Sequence, residues 1–379
     1  MNLSAWFVFA MVCSFASVRA LAAAPTSSAG ASGLSDPITL HVRDQPADVA
    51  FKMLGEKIGC DIHGRTPVMW DNVRNAPVLT NFDQQPFWDI VQELCRQAGV
   101  MPIESGRRQM VLGQDPVSVW PAEPHVVSGP IRISVTNSDL GRRRFRPGPM
   151  ARRNGPARNN SPRTGPPQVQ LTLLSDPRIF SMYVTPLVIE SIQAEDGKPV
   201  AVVKPWKFNT KFFDGRTMLT VNLDPAANAR HLRLFKASAS VLLVTRSVPV
   251  EISNMAAAKN LAKDIGPLKF SFTTTLTGGG ARIVASSQHN PESAHWDQLA
   301  ECIPNAFSPR LFDKNGREYK LNHSSGGHWG AGNVDATFEF GGVPTRAGLP
   351  GPPDKFTWEV PVDCAVVPIS IEFKDLRLQ

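Results

Sequence analysis

Residues 38–46 read ITLHVRDQP and residues 78–86 read VLTNFDQQP, so two similar segments lie 40 residues apart. Each segment has the composition of a strand and ends at a proline. Helical spacing follows the second proline, because apolar side chains recur there on one face of an α-helix. These side chains are Phe87, Ile90, Val91, Leu94, Cys95 and Ala98. The duplication therefore predicts two consecutive strand–helix units.

The first copy repeats this organisation with its own residues. Its helical row consists of Ala50, Leu54 and Ile58. Pro46 and Pro86 stand where a first-turn proline is pre-organised for a helix. Gly59 and Gly99 stand where a left-handed residue ends one. A strand is expected after each helix, which completes a tandem strand–helix–strand domain at residues 36–115.

This pattern resembles the short amino-terminal domain of secretins and TonB-dependent receptors. It is also similar to strand–helix–strand repeats in exported proteins of planctomycete-type bacteria. The shared motif is a strand, two polar residues, a proline, an amphipathic helix, a glycine and a strand, and it covers roughly residues 36–113. In that family the domain is an extracytoplasmic protein–protein contact module with no catalytic residues. The resemblance therefore implies a contact role.

The amino terminus has the pattern of a secretory signal. Residues 5–18 read AWFVFAMVCSFASV, an apolar run shorter than the ~20 residues that span a bilayer. The small residues ALAAAP follow at 20–25, as at a signal cleavage site. The sequence thus predicts a signal peptide at 1–24 and a linker at 25–35, with an uncleaved anchor as the alternative. A secreted or periplasmic protein without a further transmembrane span is expected.

Export makes the cysteines informative, because disulfides form in oxidising compartments. The cysteines after the signal are Cys60, Cys95, Cys302 and Cys364. They could close one bridge near the amino end and one near the carboxyl end, or they could be four buried thiols. Both alternatives stay open. No Cys-x-x-Cys motif is present, so neither a thiol redox site nor a zinc ribbon is predicted.

The net charge of +7 comes from one segment. Residues 141–167 read GRRRFRPGPMARRNGPARNNSPRTGPP, with eight arginines and no acidic residue. Without these eight, 32 of the 40 basic residues remain against 33 acidic ones, so specific nucleic-acid binding is not predicted. The segment is predicted to be disordered. It could tether the protein to phosphate-rich polymers or anionic lipid, or be a tolerated surface insertion. The candidate binding residues are Arg142, Arg143, Arg144 and Arg146.

The rest of the chain has the pattern of strands, and its 33 prolines and 28 glycines favour turns. Residues 131–135 and 169–173 alternate between apolar and polar and flank the arginine-rich segment, which predicts a hairpin around it. Turns every 8–12 residues or so are typical of a β-sandwich. Two sandwich-like domains are predicted, at 116–252 and 253–379, so the fold class is α+β, mainly β. Residues 254–263 are the candidate for a further helix.

A shift of parity marks the carboxyl-terminal strands. Apolar residues first occupy even positions, namely Phe356, Trp358, Val360, Val362, Cys364 and Val366. After Pro368 they occupy odd positions, namely Ile369, Ile371 and Phe373. A one-residue shift of this kind predicts a bulge or a change of sheet. Upstream, Asn315 and Gly316 predict a hairpin turn.

Two sets of residues could form a functional site. Four histidines lie close in sequence and could share a metal in a metal-dependent hydrolase: His289, His295, His323 and His328. Their spacing matches no standard ligand pattern, so solvated loop histidines are the simpler interpretation. Trp296 and Trp329 lie among polar loop residues and could stack on a sugar ring, or pack in a core.

The sequence has no G-x-S-x-G, H-E-x-x-H or G-x-G-x-x-G motif, and no cofactor is predicted. We therefore expect an exported, non-enzymatic protein that contacts or scaffolds envelope proteins or polymers. Carbohydrate or envelope-polymer binding is the first alternative, and metal-dependent hydrolysis is the second.

Overall fold

The computed structural model describes residues 36–66, 77–106, 108–114, 124–135, 167–203, 207, 209–212, 215–225, 231–266, 268–277, 280–288, 303, 309–328, 333–342 and 350–377. The predicted signal peptide, the linker and residues 141–166 of the arginine-rich segment lie outside these ranges. The fold is α+β and mainly β, with tandem strand–helix–strand units followed by sandwich-like sheets, as the sequence predicts. In the described ranges, no helix is long and apolar enough to cross a membrane.

In its described residues, the amino-terminal unit has two helices and five strands. They are β1 Ile38–Pro46, α1 Ala47–Ile58, β2 Asp61–Gly64, β3 Pro77–Gln85, α2 Phe87–Ala98, β4 Val100–Gly106 and β5 Gln109–Gln114. β1 pairs with β3 in an antiparallel two-stranded sheet. β5 pairs with β2 in parallel and with β4 antiparallel in a second sheet. Because α1 contacts β1 of one sheet and β2 of the other, the helices and both sheets share one core.

The two copies match in their backbone angles. Gly59 and Gly99 both have φ 67, the left-handed conformation that ends a helix. Pro46 and Pro86 have φ −54 and −58 with ψ 145 and 147, so both are extended. The prolines are therefore the N-cap residues and not first-turn residues as predicted. Each proline thus lies one residue before its predicted position, because its extended ψ belongs to the end of the strand and not to the first turn of the helix.

The remaining strands form two sheets. Their bounds are β6 His125–Ser128, β7 Ile131–Val135, β8 Gln168–Ser175, β9 Phe180–Val184, β10 Val188–Ala194, β11 Thr210–Lys211, β12 Arg216–Asn222, β13 His231–Ile252, β14 Leu261–Ile265, β15 Leu268–Thr277, β16 Gly280–Gln288, β17 Arg310–Asp313, β18 Glu318–His328, β19 Asn333–Gly341 and β20 Pro353–Arg377. One sheet has the order β12-β8-β7-β6. The other has the order β11-β9-β13-β20-β17-β18-β19-β16-β15-β14, and β10 also pairs with β13. β7 and β8 pair antiparallel, as predicted for the strands that flank the arginine-rich segment.

Two separate cores fill the sandwiches. In the first, the four-stranded sheet packs on the halves of β13 and β20 that carry Phe235 and Ile371. In the second, strands β14 to β19 pack on the other halves of the same two strands. The second core is aromatic, and the rings of Phe338 and Trp358 meet edge to face with centroids 5.0 Å apart. Both cores therefore depend on β13 and β20.

The β13–β20 ladder explains the parity shift. The pairs Leu243–Ala365 and Val248–Val360 are five residues apart on each strand, so one register runs through the ladder despite an irregularity at Arg246. Successive side chains of a strand point to opposite faces. Odd-numbered residues therefore fill the first core from Phe235 to Leu243 and from Val367 to Phe373, and even-numbered residues of the other halves fill the second. Leu232 and Leu376, a pair near the end of the ladder, are even-numbered and still lie in the first core. Neither predicted explanation is correct, because β20 stays in one sheet and no net residue is added; the two halves of the strand are covered on opposite faces.

Two expectations for this region differ from the structure. Residues 254–263 form a short 3₁₀ turn at Met255–Ala257 and then β14, and not the expected helix. Asn254 and Asn260 have φ 57 and 53, and these left-handed residues interrupt helical geometry on both sides. The expected unit 253–379 is also not separate, because the end of β20 lies in the first core.

The Asn315–Gly316 hairpin forms as predicted, and a buried carboxylate holds it. Asp313 accepts hydrogen bonds from the N–H groups of Gly351, Arg317 and Asn315 at 2.8–2.9 Å. It also forms an ion pair with the Arg317 guanidinium at 2.8 Å. These bonds to the charged form, led by that of Gly351, lower the pKa of Asp313 to about 2. The carboxylate thus links the β17–β18 turn to the segment before β20.

We expect Asp313→Asn to lower the melting temperature by several degrees, because the amide cannot accept all of these bonds. The folded-state pKa lies below the unfolded value of 3.8, so the stabilisation is complete above pH 4. It is then lost as the pH falls from about 4 towards 2. Urea unfolding of both proteins between pH 2 and 7 checks this. A difference in midpoint that does not shrink in acid would contradict the assigned charge.

Candidate functional site

Most of the residues singled out by the sequence lie outside the described part of the chain. They are Arg142, Arg143, Arg144, Arg146, His289, His295, Trp296, Cys302 and Trp329. His323 is exposed on β18 opposite Glu339 of β19. His328 ends the same strand, five residues or about 17 Å further along. Among the described residues, no group of three or more His, Cys, Asp or Glu side chains could hold a metal ion.

The described cysteines are buried. Cys60 and Cys95 are free thiols, so the bridge between them that the sequence left open is not formed. Burial raises the pKa of the Cys60 thiol to about 11 and that of Cys95 to about 12. Burial also raises the pKa of Cys364, on the inward face of β20, to about 11. All three are therefore protonated at neutral pH, where a thiol is a poor nucleophile.

An ion pair fixes the amino-terminal unit on the first sandwich. Asp176 and Arg178 lie in the turn between β8 and β9, with side chains 1% and 17% exposed and a 2.7 Å contact between Oδ2 and Nη2. The Arg178 Nη1 donates to the carbonyl of Asp36, just before β1, at 2.7 Å. Its guanidinium also lies 5.6 Å from the centre of the Phe87 ring. One arginine thus joins the β8–β9 turn, β1 and α2.

Further contacts surround this pair. The Trp88 indole N–H of α2 donates to the carbonyl of Pro130 at 3.0 Å, and the Arg108 N–H donates to that of Pro177 at 2.8 Å. A Cβ on Gly215 would lie 1.5 Å from the carbonyl oxygen of Ser105, so the two units approach as closely as glycine allows. The sequence treats these units as separate domains, and the structure joins them through a buried interface.

The two-stranded sheet leaves one edge of β1 open. In the described chain, β1 pairs with β3 alone. The Leu79 N–H of β3 points away from β1 and donates to the Gln97 side chain of α2 at 3.1 Å. Along an antiparallel pair of strands, the N–H and C=O groups of successive opposed residues point alternately towards the partner strand and away from it. Asn81 and its partner His41 therefore face away, and so does Arg43 at the outer edge of β1.

The side chains beside this edge are polar, with one apolar exception. Leu79 is 71% exposed on the same sheet. His41 lies 3.7 Å from Asp83, and both are exposed. Arg43 is exposed and has no acidic side chain within ion-pair distance among the described residues. The open edge thus has outward backbone groups at His41 and Arg43 and an exposed arginine side chain. The carbonyl of Arg43 already accepts a hydrogen bond from the Gln45 side chain at 3.1 Å.

Sequence reasoning predicted β1 but not its open edge. No signal in residues 38–46 distinguishes an edge strand from a central one, because pairing partners come from elsewhere in the chain. The repeat with residues 78–86 could have suggested that β1 and β3 pair, since equivalent strands of a duplication commonly meet. The unusual exposure of Leu79 follows only from the packing of α2 on the opposite face.

No protein-family model matches the chain, and no curated protein is similar to it. A solved structure, the conserved domain protein from Bacillus anthracis, aligns with 66% of this chain and 89% of its own. The two are 9% identical with a TM-score of 0.20, and at that score the likeness carries no argument. What defines the chain is its own architecture, a mainly β protein whose amino-terminal unit presents an open strand edge.

Proposed function

We propose that the protein is an exported, non-enzymatic contact module of the cell envelope, and that it binds an extended segment of a partner protein along the outer edge of β1. The open edge carries this proposal, because unpaired strand edges are templates for a further strand. The signal-like amino terminus and the resemblance of residues 36–113 to extracytoplasmic contact domains support the location.

Rigidity of the edge favours this role. Arg178 holds the carbonyl of Asp36 directly before β1, and the same guanidinium is paired with buried Asp176. The start of β1 is therefore ordered before any partner arrives. Pre-ordering lowers the entropy cost of binding, so more of the gain from new backbone hydrogen bonds remains as affinity.

The side chains along the edge suggest the partner segment. Arg43 is exposed, so an acidic residue opposite it would form a favourable cross-strand pair. Leu79, although 71% exposed, lies on β3 with β1 between it and the incoming strand, about 10 Å away, so it contributes no cross-strand pair. We therefore expect an extended segment that carries an acidic residue opposite Arg43.

A pair of substitutions at His41 tests strand addition. His41→Pro removes the outward N–H, whereas His41→Ala removes only the imidazole and keeps that donor. The probe is a phage-displayed library of random nonapeptides selected on the full chain, followed by titration of the best synthetic peptide. We expect His41→Ala to bind within about twofold of the unaltered protein and His41→Pro to bind at least about tenfold more weakly.

Far-UV circular dichroism confirms that both variants keep the fold. Equal binding by His41→Pro and the unaltered chain would overturn the proposal, and so would a selection that yields no saturable peptide. Loss of binding in both variants would show a side-chain contact in place of strand addition.

A further inference from the structure

The first sandwich contains a cavity that the contact role does not use. It lies between the edge of β12 in the four-stranded sheet and the edge of β10 in the other sheet. Its volume is about 340 Å³, within the range of small-molecule sites. The described residues thus leave the first core open at one side.

Hydrogen bonds between the segments on its two sides close both ends of this opening. At one end the Val203 N–H donates to the carbonyl of Asn222 at 2.8 Å, and the Val200 N–H donates to that of Ile192 at 2.9 Å. At the other end the Thr217 hydroxyl donates to the carbonyl of Lys211 at 2.9 Å. The open part of β12 is therefore only a few residues long. That length suits a small ligand better than an added strand.

The walls of the cavity are apolar. Leu187, Ile189, Val202 and Leu219 line it, and Thr220 and Asn222 supply hydrogen-bonding groups. None of the residues that line it is charged. A methylene group is about as large as a water molecule, which takes about 30 Å³, so the cavity has room for roughly ten methylene groups. Such walls favour an unbranched aliphatic chain.

A positively charged side chain, that of Arg216, contacts one of the lining residues. Met218 lines the cavity and is 44% exposed, and its sulfur lies 3.7 Å from the Arg216 guanidinium. The other end of that guanidinium donates to the carbonyl of Ile103 at 3.3 Å, which fixes its position. No acidic side chain pairs with Arg216 among the described residues. The arginine is thus free to meet a carboxylate, which it binds well.

We propose that this cavity binds an anionic amphiphile with an aliphatic chain of about ten carbons, with the chain between β10 and β12 and the carboxylate or phosphate at Arg216. The site is independent of the β1 edge. Because such a chain can come from a free fatty acid or from a membrane lipid, the test has one arm for each source.

Calorimetric titration of the full chain with decanoate and with decanol tests the site. Val202→Phe fills the cavity and should abolish binding of both ligands. Arg216→Gln keeps a donor but loses the charge, so we expect decanoate to bind at least about tenfold more weakly and decanol to be unchanged. The matched control Arg282→Gln, at an exposed side chain of β16, should change neither.

Flotation with vesicles of anionic phospholipid separates the two sources. If the protein is retained on the vesicles and Val202→Phe abolishes this retention, the source is a membrane lipid. If the protein binds decanoate but is not retained on the vesicles, the source is a free amphiphile. The proposal is overturned if decanoate shows no saturable binding, or if Val202→Phe, folded by circular dichroism, binds it as the unaltered protein does.

Discussion

An alanine inserted between Ala237 and Ser238 of β13 is expected to unfold the first sandwich. Residues before the insertion, including Leu232 and Phe235, would turn from the core to the opposite face of the sheet. A bulge cannot absorb the extra residue cheaply, because β13 pairs here with β10 on one side and β20 on the other. Exposing Phe235 alone costs about 1.5–3 kcal/mol, a considerable part of the stability of a domain.

Urea unfolding followed by tryptophan fluorescence and far-UV circular dichroism measures this effect. We expect the cooperative transition of the first sandwich to vanish or to move to much lower urea. The matched control is one alanine added between residues 345 and 346, in the connection from β19 to β20, because these two strands do not pair with each other and the connection sets no hairpin register. If both insertions gave the same midpoint, β13 would not have the register described here.

The second large effect is expected for Asp176→Ala at the junction of the amino-terminal unit. This change leaves the largely buried Arg178 without its carboxylate, and breaking a buried pair costs about 3–5 kcal/mol. Because the same arginine holds Asp36 and lies on Phe87, the unit should also loosen from the sandwich. Lower urea stability and faster proteolytic cleavage near β1 would record both consequences.

Two variants keep this prediction falsifiable. Glu318→Ala breaks the exposed ion pair with Arg310 and should change stability by no more than about 1 kcal/mol. Replacing both partners, as Asp176→Ala with Arg178→Met, removes the unpaired charge and should recover much of the loss. A single Asp176→Ala variant as stable as Glu318→Ala would show that the buried pair does not hold the junction.

Local features of the sequence predicted the amino-terminal unit well. Helix α1 begins after Pro46 and ends before Gly59, and α2 begins after Pro86 and ends before Gly99. These limits were predictable because proline and left-handed glycine act through their own backbone angles. The Asn315–Gly316 turn is equally local. The prediction was poorest at residues 254–263, where a short polar and alanine-rich stretch suggested a helix that two left-handed asparagines prevent.

The candidate sites were less predictable, since they depend on distant partners. Nothing near Asp176 shows that Arg178 will meet the carbonyl of Asp36, 142 residues away. The open edge of β1 and the cavity beside Arg216 exist because strands from other parts of the chain do not cover them. The residues that the sequence singled out for binding lie mostly outside the described ranges, so those hypotheses stay predictions.

Residue by residue, the sequence determined the elements of this protein: the duplicated strand–helix units, the turns, the alternation of the strands and the parity shift near Pro368. These depend on backbone angles and on side chains that alternate within a few residues. Only the tertiary structure decided that β13 and β20 serve two cores through opposite faces, and that a buried ion pair fixes the amino-terminal unit. Pairing and burial join residues far apart in the chain, so no local pattern encodes them.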